Sequence, residues 1–405
     1  MGTRKYVTAF AGARDSYQVP LALEQDGQLD CLITDLYLPP IPAALKVRLG
    51  KLARRSAPGL PVWKTRSSPG VLWRSYIGWR LSSDRAQEQL LGLGWSQDRL
   101  SRLAGQRAAR RGADLFLYAG YALKAFENPR LAQARRILYM YHPHIERSSE
   151  ILSHDMLRYP EAEAALATLN ADRIDRSVDR ELAMADLVVC SSEFTASTIQ
   201  AIGIDRSKVV VIPYGIDVPA IAPPPKATDT CHFLFVGSGI HRKGLHTLCE
   251  AWKKARLLDA RLTLVCRYVE PWIRDRLNVA GITLRPGVTP DELGSLYQDA
   301  HVFVLPALVE GFAYVYLEAL ARGCFCIGTE NTGLPDLQLT QQEALIIPAG
   351  EVDALADALS TVFIEWKAGR LNPTHIRRSV EPWSWARFRR SISACARQLE
   401  SRKAK

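Results

Sequence analysis

At 405 residues the chain is long enough for two ordinary domains, and 47% apolar with 23% charged residues is a globular balance that argues against extensive disorder. Its apolar stretches are short: the longest, Val302 to Ala321, holds Pro306, Glu310 and Glu318, which excludes it as a membrane span. The net charge of +10 is concentrated, with fifteen Lys/Arg against three acids between Leu45 and Arg111, and Trp63, Trp73, Trp79 and Trp95 set among them.

The N-terminal MGTRKYVTAF runs into a strand-like segment with no cleavable signal pattern, so the expectation is a cytoplasmic protein. Short β-branched and aromatic runs then alternate with helical patterns, which marks parallel α/β units. In the first half the expected strands are Tyr6–Phe10, Leu115–Tyr118, Ile137–Tyr141, Leu187–Cys190 and Val209–Ile212. Gly12 follows the first of them, and His142-Pro143-His144 follows the third, at the strand end where ligands of a parallel sheet collect. Between these, Leu45–Arg111 shows no clear helical period before Leu81. Beyond it Leu90, Leu91, Leu93, Trp95, Leu100 and Leu103 predict a basic amphipathic helix or helix pair. Tryptophan among Lys/Arg is the composition of segments that lie on anionic membrane surfaces. The competing reading is a solvated arginine-rich surface; nucleic acid is not expected, because no binding module is recognisable.

Residues 216–230 hold Pro219 and Pro223–Pro225 with few apolar residues, the make-up of a stiff linker. This sets the expected domains at 1–215 and 231–380. In residues 381–405, Trp383, Trp385, Phe388, Ile392 and Leu399 are spaced as a closing helix that packs back on the first domain. The second half is expected to run through strands at Phe233–Gly237, Leu262–Cys266, Ile282–Leu284, Val302–Leu305, Cys326–Gly328 and Leu345–Ile347. The fold class is therefore α/β, two Rossmann-like doubly wound parallel sheets. Eight scattered cysteines sit mostly in apolar segments and form no metal-ligand set, as befits a reducing compartment.

Two segments carry chemistry. Phe233–Gly237 opens into GSGIHRKGL, where Gly237, Gly239 and Gly244 allow a tight turn and Arg242-Lys243 bring two cations to a helix start. Neither the dinucleotide GxGxxG nor the Walker pattern fits the spacing, yet a diphosphate does. Further on, LPALVEGFAYVYLEALARG puts Glu310 after a strand and Glu318 one to two turns inside the next helix, with the backbone of Gly311, Phe312 and Ala313 between them. Free N–H groups attract phosphate, while carboxylates accept hydrogen bonds from sugar hydroxyls, so the ligand expected is a nucleotide sugar.

VVVIPYGID, FLFVGSGIHRKGL and VLPALVEGFAYVYLEALARGCFCIGTENTGLPDL, with ELAMADLVVCSSEFTASTI, together resemble glycosyltransferase family four, retaining enzymes whose two domains face a cleft (the GT-B fold). The resemblance implies that Arg242 and Lys243 hold the donor diphosphate and stabilise the leaving group. It implies that Glu310 reads donor-sugar hydroxyls with the N–H groups of Gly311, Phe312 and Ala313, and that Glu318 binds the ribose. Gly12 and Gly239 would approach the donor, Arg267 and Val288 the phosphates or base, and His142 or His144 the acceptor. A UDP- or GDP-sugar is the implied substrate, with no metal or other cofactor. The acceptor would be a glycan or a lipid-diphosphate-linked molecule at the inner membrane face. The alternatives are another GT-B enzyme, such as a sugar-nucleotide epimerase, or a non-catalytic glycan- or membrane-binding protein. A phosphorylase is disfavoured, since no pyridoxal-phosphate lysine is evident.

Overall fold

The computed structural model describes residues 4–40, 42, 50–71, 73, 85–163, 176–218 and 228–402. Two all-parallel sheets organise them. The first contains β1 (Tyr6–Ala9), β2 (Leu29–Thr34), β3 (Thr65–Ser67), β4 (Asp114–Tyr118), β5 (Arg136–Met140), β6 (Leu187–Cys190) and β7 (Val209–Val211), in the order β3-β2-β1-β4-β5-β6-β7. The second contains β8 (Cys231–Val236), β9 (Ala260–Val265), β10 (Ile282–Arg285), β11 (Val302–Leu305), β12 (Phe325–Thr329) and β13 (Ala344–Ile347), in the order β10-β9-β8-β11-β12-β13. The central strands are buried throughout, because helices cover both faces of a doubly wound sheet and leave no wet side for alternating polar residues. Each sheet has a topological switch point beside its first strand, at β1/β4 and at β8/β11. Side chains leaving those carboxyl ends converge on a crevice.

Eleven of these strands match the segments read from the sequence to within a residue or two; β2 and β3 were not foreseen. β2 carries Asp30 and ends on Thr34, and β3, Thr-Arg-Ser, has no apolar residue. It exists because Leu32, Ile33 and Thr34 of β2 offer it a register. Asp30 is matched from the helix Arg85–Arg111, whose Arg107 donates to it at 2.6 Å and Arg111 at 3.4 Å. That helix is one element of 27 residues rather than a pair.

The two domains share chain crossings as well as a cleft. Ile216 N–H donates to Trp383 C=O (2.8 Å) where the chain passes between domains in both directions. The final helix, Trp385–Arg402, then joins the first domain's core through Phe388, Ile392, Cys395, Ala396 and Leu399. Tyr6 Oη donates to Ala396 C=O (3.1 Å), and Ser393 Oγ to Ala22 C=O (2.8 Å). Residues 219–227, most of the expected linker, lie outside the described residues, as do 43–49, 72 and 74–84 of the basic segment, Trp79 included. All eight cysteines are buried and none is in a disulfide. Among the described residues no helix is long and apolar enough to cross a membrane.

Candidate active site in the interdomain cleft

The site is assembled at the switch point of the second sheet. After β8 the chain makes a one-turn helix, His241–Lys243, and then Gly244 at φ +67°. A Cβ there would fall 1.9 Å from Pro306 C=O, so only glycine lets this turn lie against the loop after β11. Leu308 N–H donates back to Arg242 C=O at 2.9 Å, which brings the cation pair beside Glu310. Arg242 Nη1 donates to Glu310 Oε2 at 2.8 Å, and Lys243 Nζ donates to the same oxygen. Burial alone would push the Glu310 carboxyl up; the charges of Lys243 and Arg242 outweigh it and hold it at about 2. Lys243 is itself pushed down by burial, with Glu310 opposing.

Gly311 carries this loop across to the other domain. Its C=O accepts from Ser192 Oγ and from Thr195 Oγ1 (3.2 Å), and a Cβ on it would fall 2.1 Å from Tyr141 C=O. His142, the next residue, is therefore exposed at the mouth of the cleft, within reach of the Glu310 charge and with both domains crowding it. That crowding lowers its pKa; Glu310 opposes the shift, and Arg242, Arg14 and Lys243 reinforce it, so the imidazole is neutral at pH 7. His144 points elsewhere. It is buried, caps the helix Ile145–Met156, and sets Nε2 2.7 Å from Asp179 Oδ1. The two imidazoles that the sequence left undecided are thus turned to different tasks.

Phe312 is buried edge-on against Tyr214, and Ala313 takes φ +63°, a strained conformation for a residue with a side chain. Neither N–H donates to any group among the described residues. Glu318 falls in the first turn of the short helix Val315–Leu320, earlier than its spacing predicted, and accepts from Tyr297 Oη (3.1 Å). Burial pushes its carboxyl up against that hydrogen bond and the charges of Arg322 and Arg54, the last contributed by the first domain. Gly239 is packed tight, with Leu245 and Val269 methyls 2.9 Å from a Cβ position, while Gly12 adopts φ +90° and donates to Asp35 Oδ1 at 3.0 Å. Arg267, just past β9, is exposed and in no ion pair among the described residues; Val288 is half-buried.

Sequence reasoning missed two groups beside this cleft, because their partners are distant in the chain. Arg14 lies over the Tyr141 ring, 4.3 Å from its centroid. Asp155, at the far end of the helix Ile145–Met156, takes His241 Nε2 at 2.7 Å and His246 Nε2 at 3.0 Å on one buried oxygen. Aspartate with two histidines is a donor set that suits zinc, and the three atoms lie within 4.8 Å of one another. The geometry fits a metal poorly. Tetrahedral ligands stay roughly 3.3 Å apart across a zinc ion, farther than these contacts. A metal-bound imidazole also donates from its second nitrogen, whereas both Nδ1 atoms here are buried without a partner. The trio is an interdomain hydrogen-bonded clasp.

Two family profiles divide the chain: "Glycosyl transferase 4-like domain" matches residues 53–215, and "Glycosyl transferases group 1" matches 230–364. A sucrose-phosphate synthase from Thermosynechococcus elongatus superposes with a TM-score of 0.66 at 17% identity over 98% of this chain and 100% of that one. The catalytic domain of starch synthase IV from Arabidopsis thaliana, bound to ADP and acarbose, also gives 0.66, at 13% identity over 98% and 99%. These likenesses and the twin sheets place the chain in the GT-B fold class. Within it the chain is a glycosyltransferase-type protein related to family four and group 1, whose models match its two halves. Among sequences, the putative colanic acid biosynthesis glycosyltransferase WcaL of Escherichia coli K12 is 27% identical over 190 residues, 43% of this chain and 47% of that protein. A GDP-mannose-dependent phosphatidylinositol monomannoside mannosyltransferase of Mycobacterium tuberculosis is 25% identical over 217 residues, 47% of this chain and 56% of that one. The chain spans about half the length of the curated relatives it matches.

Proposed function

We propose that the chain transfers a sugar, with retention, from a nucleoside-diphosphate donor to a glycan or lipid-diphosphate-linked acceptor in the assembly of a cell-surface polysaccharide or glycolipid. Residues 231–380 form the donor domain and 1–215 the acceptor domain. The observation that carries this reading is the convergence of Arg242 and Lys243 on Glu310, with His142 facing them from the other sheet. The donor pyrophosphate takes over the two cations from Glu310, which turns to the sugar hydroxyls. Arg242 and Lys243 then stabilise the charge that develops as the nucleoside diphosphate departs, the electrostatic contribution that dominates in such sites. The N–H groups of Phe312 and Ala313 orient the donor, and Glu318 holds the ribose. Neutral His142 accepts a hydrogen bond from the acceptor, and the leaving phosphate, on the same face, helps to take the hydroxyl proton. No metal is assigned a part, because two fixed cations already offset the pyrophosphate charge. The enzyme works at the cytoplasmic face of the membrane.

A panel of UDP, GDP, ADP and their sugars tests the donor. One nucleotide should raise the melting temperature, by about 2.7 kcal/mol of stability at a hundred times its Kd, and its sugar should be turned over to nucleoside diphosphate. The GDP-mannose-dependent mannosyltransferase among the relatives puts GDP-sugars first in that panel. A protein that ignores every nucleotide ends this reading.

A further inference from the structure

The loop after β1 holds an arrangement that the donor chemistry does not use. Asp15, Ser16 and Tyr17 are three consecutive non-glycine residues at φ +46°, +48° and +64°. Each costs on the order of 1–2 kcal/mol in that region. The surroundings enforce them: Tyr118 Oη donates to Asp15 Oδ2 at 2.9 Å, and buried Tyr17 packs its ring against Phe10 and Tyr37. What this strained turn fixes is the position of Arg14. Its guanidinium is laid over Tyr141 and 5.4 Å from the Tyr121 ring, at the carboxyl ends of β4 and β5.

Arg14 makes no ion pair among the described residues, and its Nε is buried without a hydrogen-bond partner. Several other half-buried cations are matched by a carboxylate, Arg55 by Asp35 at 2.6 Å, Arg107 by Asp30 at 2.6 Å and Arg242 by Glu310 at 2.8 Å, whereas Arg136, Arg322 and Arg389 rest on carbonyl or amide oxygens. The nearby acids are engaged elsewhere, Asp15 with Tyr118 and Glu181 with the N–H groups of Gly120, Ala122 and Leu123 at 2.7–2.8 Å. Arg14 has a hydrogen bond with Tyr121 and feels the charge of Asp15, but forms no ion pair, so a planar cation stacked on two tyrosines keeps donors for an incoming anion. Its charge already acts on His142, so that anion would sit in the same cleft.

Resting on the glycosyl-transfer reading above, we propose that Arg14 binds a phosphate or carboxylate carried by the acceptor, as a second anion subsite separate from the Arg242–Lys243 pair. The acceptor is then an anionic or phosphorylated sugar rather than a neutral glycan. The assignment to the acceptor follows from placement. Arg14 belongs to the switch point of the first sheet, whereas the cations for the donor belong to that of the second.

The test uses the full chain saturated with whichever nucleoside diphosphate the donor panel identifies, titrated with inorganic phosphate in a calorimeter. Wild type should take up one further phosphate. Arg14→Gln should weaken that uptake by about tenfold or more, with nucleotide affinity changed by less than about twofold, and Arg14→Lys should keep part of it. Equal phosphate uptake by wild type and Arg14→Gln overturns the proposal. So does a loss of nucleotide affinity in Arg14→Gln that matches the loss of phosphate, since the anion would then be the donor's. Parallel melting curves identify an unfolded variant, in which case Arg14→Lys decides. If wild type binds no nucleotide, the glycosyl-transfer reading falls by itself, and phosphate uptake still either depends on Arg14 or does not.

Discussion

Glu310 holds both of the cations that a donor diphosphate would need, so its removal has two separable effects. In the ligand-free cleft Glu310→Gln leaves Arg242 and Lys243 close together without their carboxylate. Breaking such a buried pair from one side costs about 3–5 kcal/mol, and the melting temperature should fall. Nucleoside diphosphate should bind the variant at least as well as wild type, because it no longer competes with a carboxylate. Turnover should drop by roughly a hundred- to a thousandfold, measured as nucleotide release under saturating donor. Loss of nucleotide binding in a folded variant would refute this division of roles. The pH dependence has a definite sign. The folded Glu310 carboxyl lies at about 2, below its ordinary 4.5. The stabilisation is therefore complete above pH 4.5 and is lost as pH falls through about 2, amounting to roughly 3 kcal/mol. His142 behaves differently. Its pKa is already lowered by enclosure, so it stays neutral through the neutral range and contributes no activity limb near 6.5. His142→Ala should lower kcat/KM for the acceptor and leave donor binding intact.

At the scale of elements, the helix Ile145–Met156 is the connector between sites. It is about 18 Å long, and it starts just beyond His142 in the cleft and ends with Asp155 under His241 and His246. The clasp thereby fixes the turn that bears Arg242 and Lys243 against the element that bears His142. Each hydrogen bond to the buried carboxylate is worth about 1.5–3 kcal/mol, so Asp155→Ala should cost roughly 3–5 kcal/mol in chemical denaturation. Around the trio stand Tyr159, Trp272, Glu250 and Arg158, with Glu270 accepting from His241 N–H at 3.0 Å. Burial lowers the pKa of His246 despite its bond to Asp155. Stability from this site is thus complete above pH 6.5 and is lost as pH falls through the folded pKa of His246; Asp155→Ala removes the group that opposes the downward shift, so the same denaturation measured against pH should show a larger acid-side loss. None of this was legible in the sequence, for a physical reason. Arg242-Lys243 and Glu310 with Glu318 announce themselves because their spacing is set by one turn or one helix. Asp155 meets His241 and Arg14 meets Tyr141 only after two sheets have formed. The same division separates the strands: apolar runs such as Val302–Leu305 declare themselves, while Thr65–Ser67 is a strand only because β2 lies beside it.

For the whole molecule, the remaining question is what the first domain's outer edge faces. β3 is an edge strand, and beside it Trp63 is 83% exposed and Trp73 67% exposed, with Leu52 and Val62 also exposed. Folding reduces the positive charge that the sequence concentrates here. Arg55, Lys64, Arg107 and Arg111 are paired with Asp35, Glu24 and Asp30, all from outside the segment. Charge alone is therefore a weaker argument for a membrane surface than composition implied, and the tryptophans become the stronger one. Each Lys/Arg near an anionic leaflet contributes about 1 kcal/mol, a contribution that salt screens. Burying a large apolar side chain contributes about 1.5–3 kcal/mol, which salt does not remove. If this edge docks on the inner leaflet, flotation with phosphatidylserine-containing vesicles should retain the protein at low salt and part of it at high salt. The Trp63→Ala/Trp73→Ala pair should lose about a hundredfold in partitioning at any salt, from at least 3 kcal/mol in total. Zwitterionic vesicles should retain less than anionic ones. Wild-type protein that floats with neither vesicle, or a double variant that floats as wild type does, would assign this edge to a protein partner or to solvent.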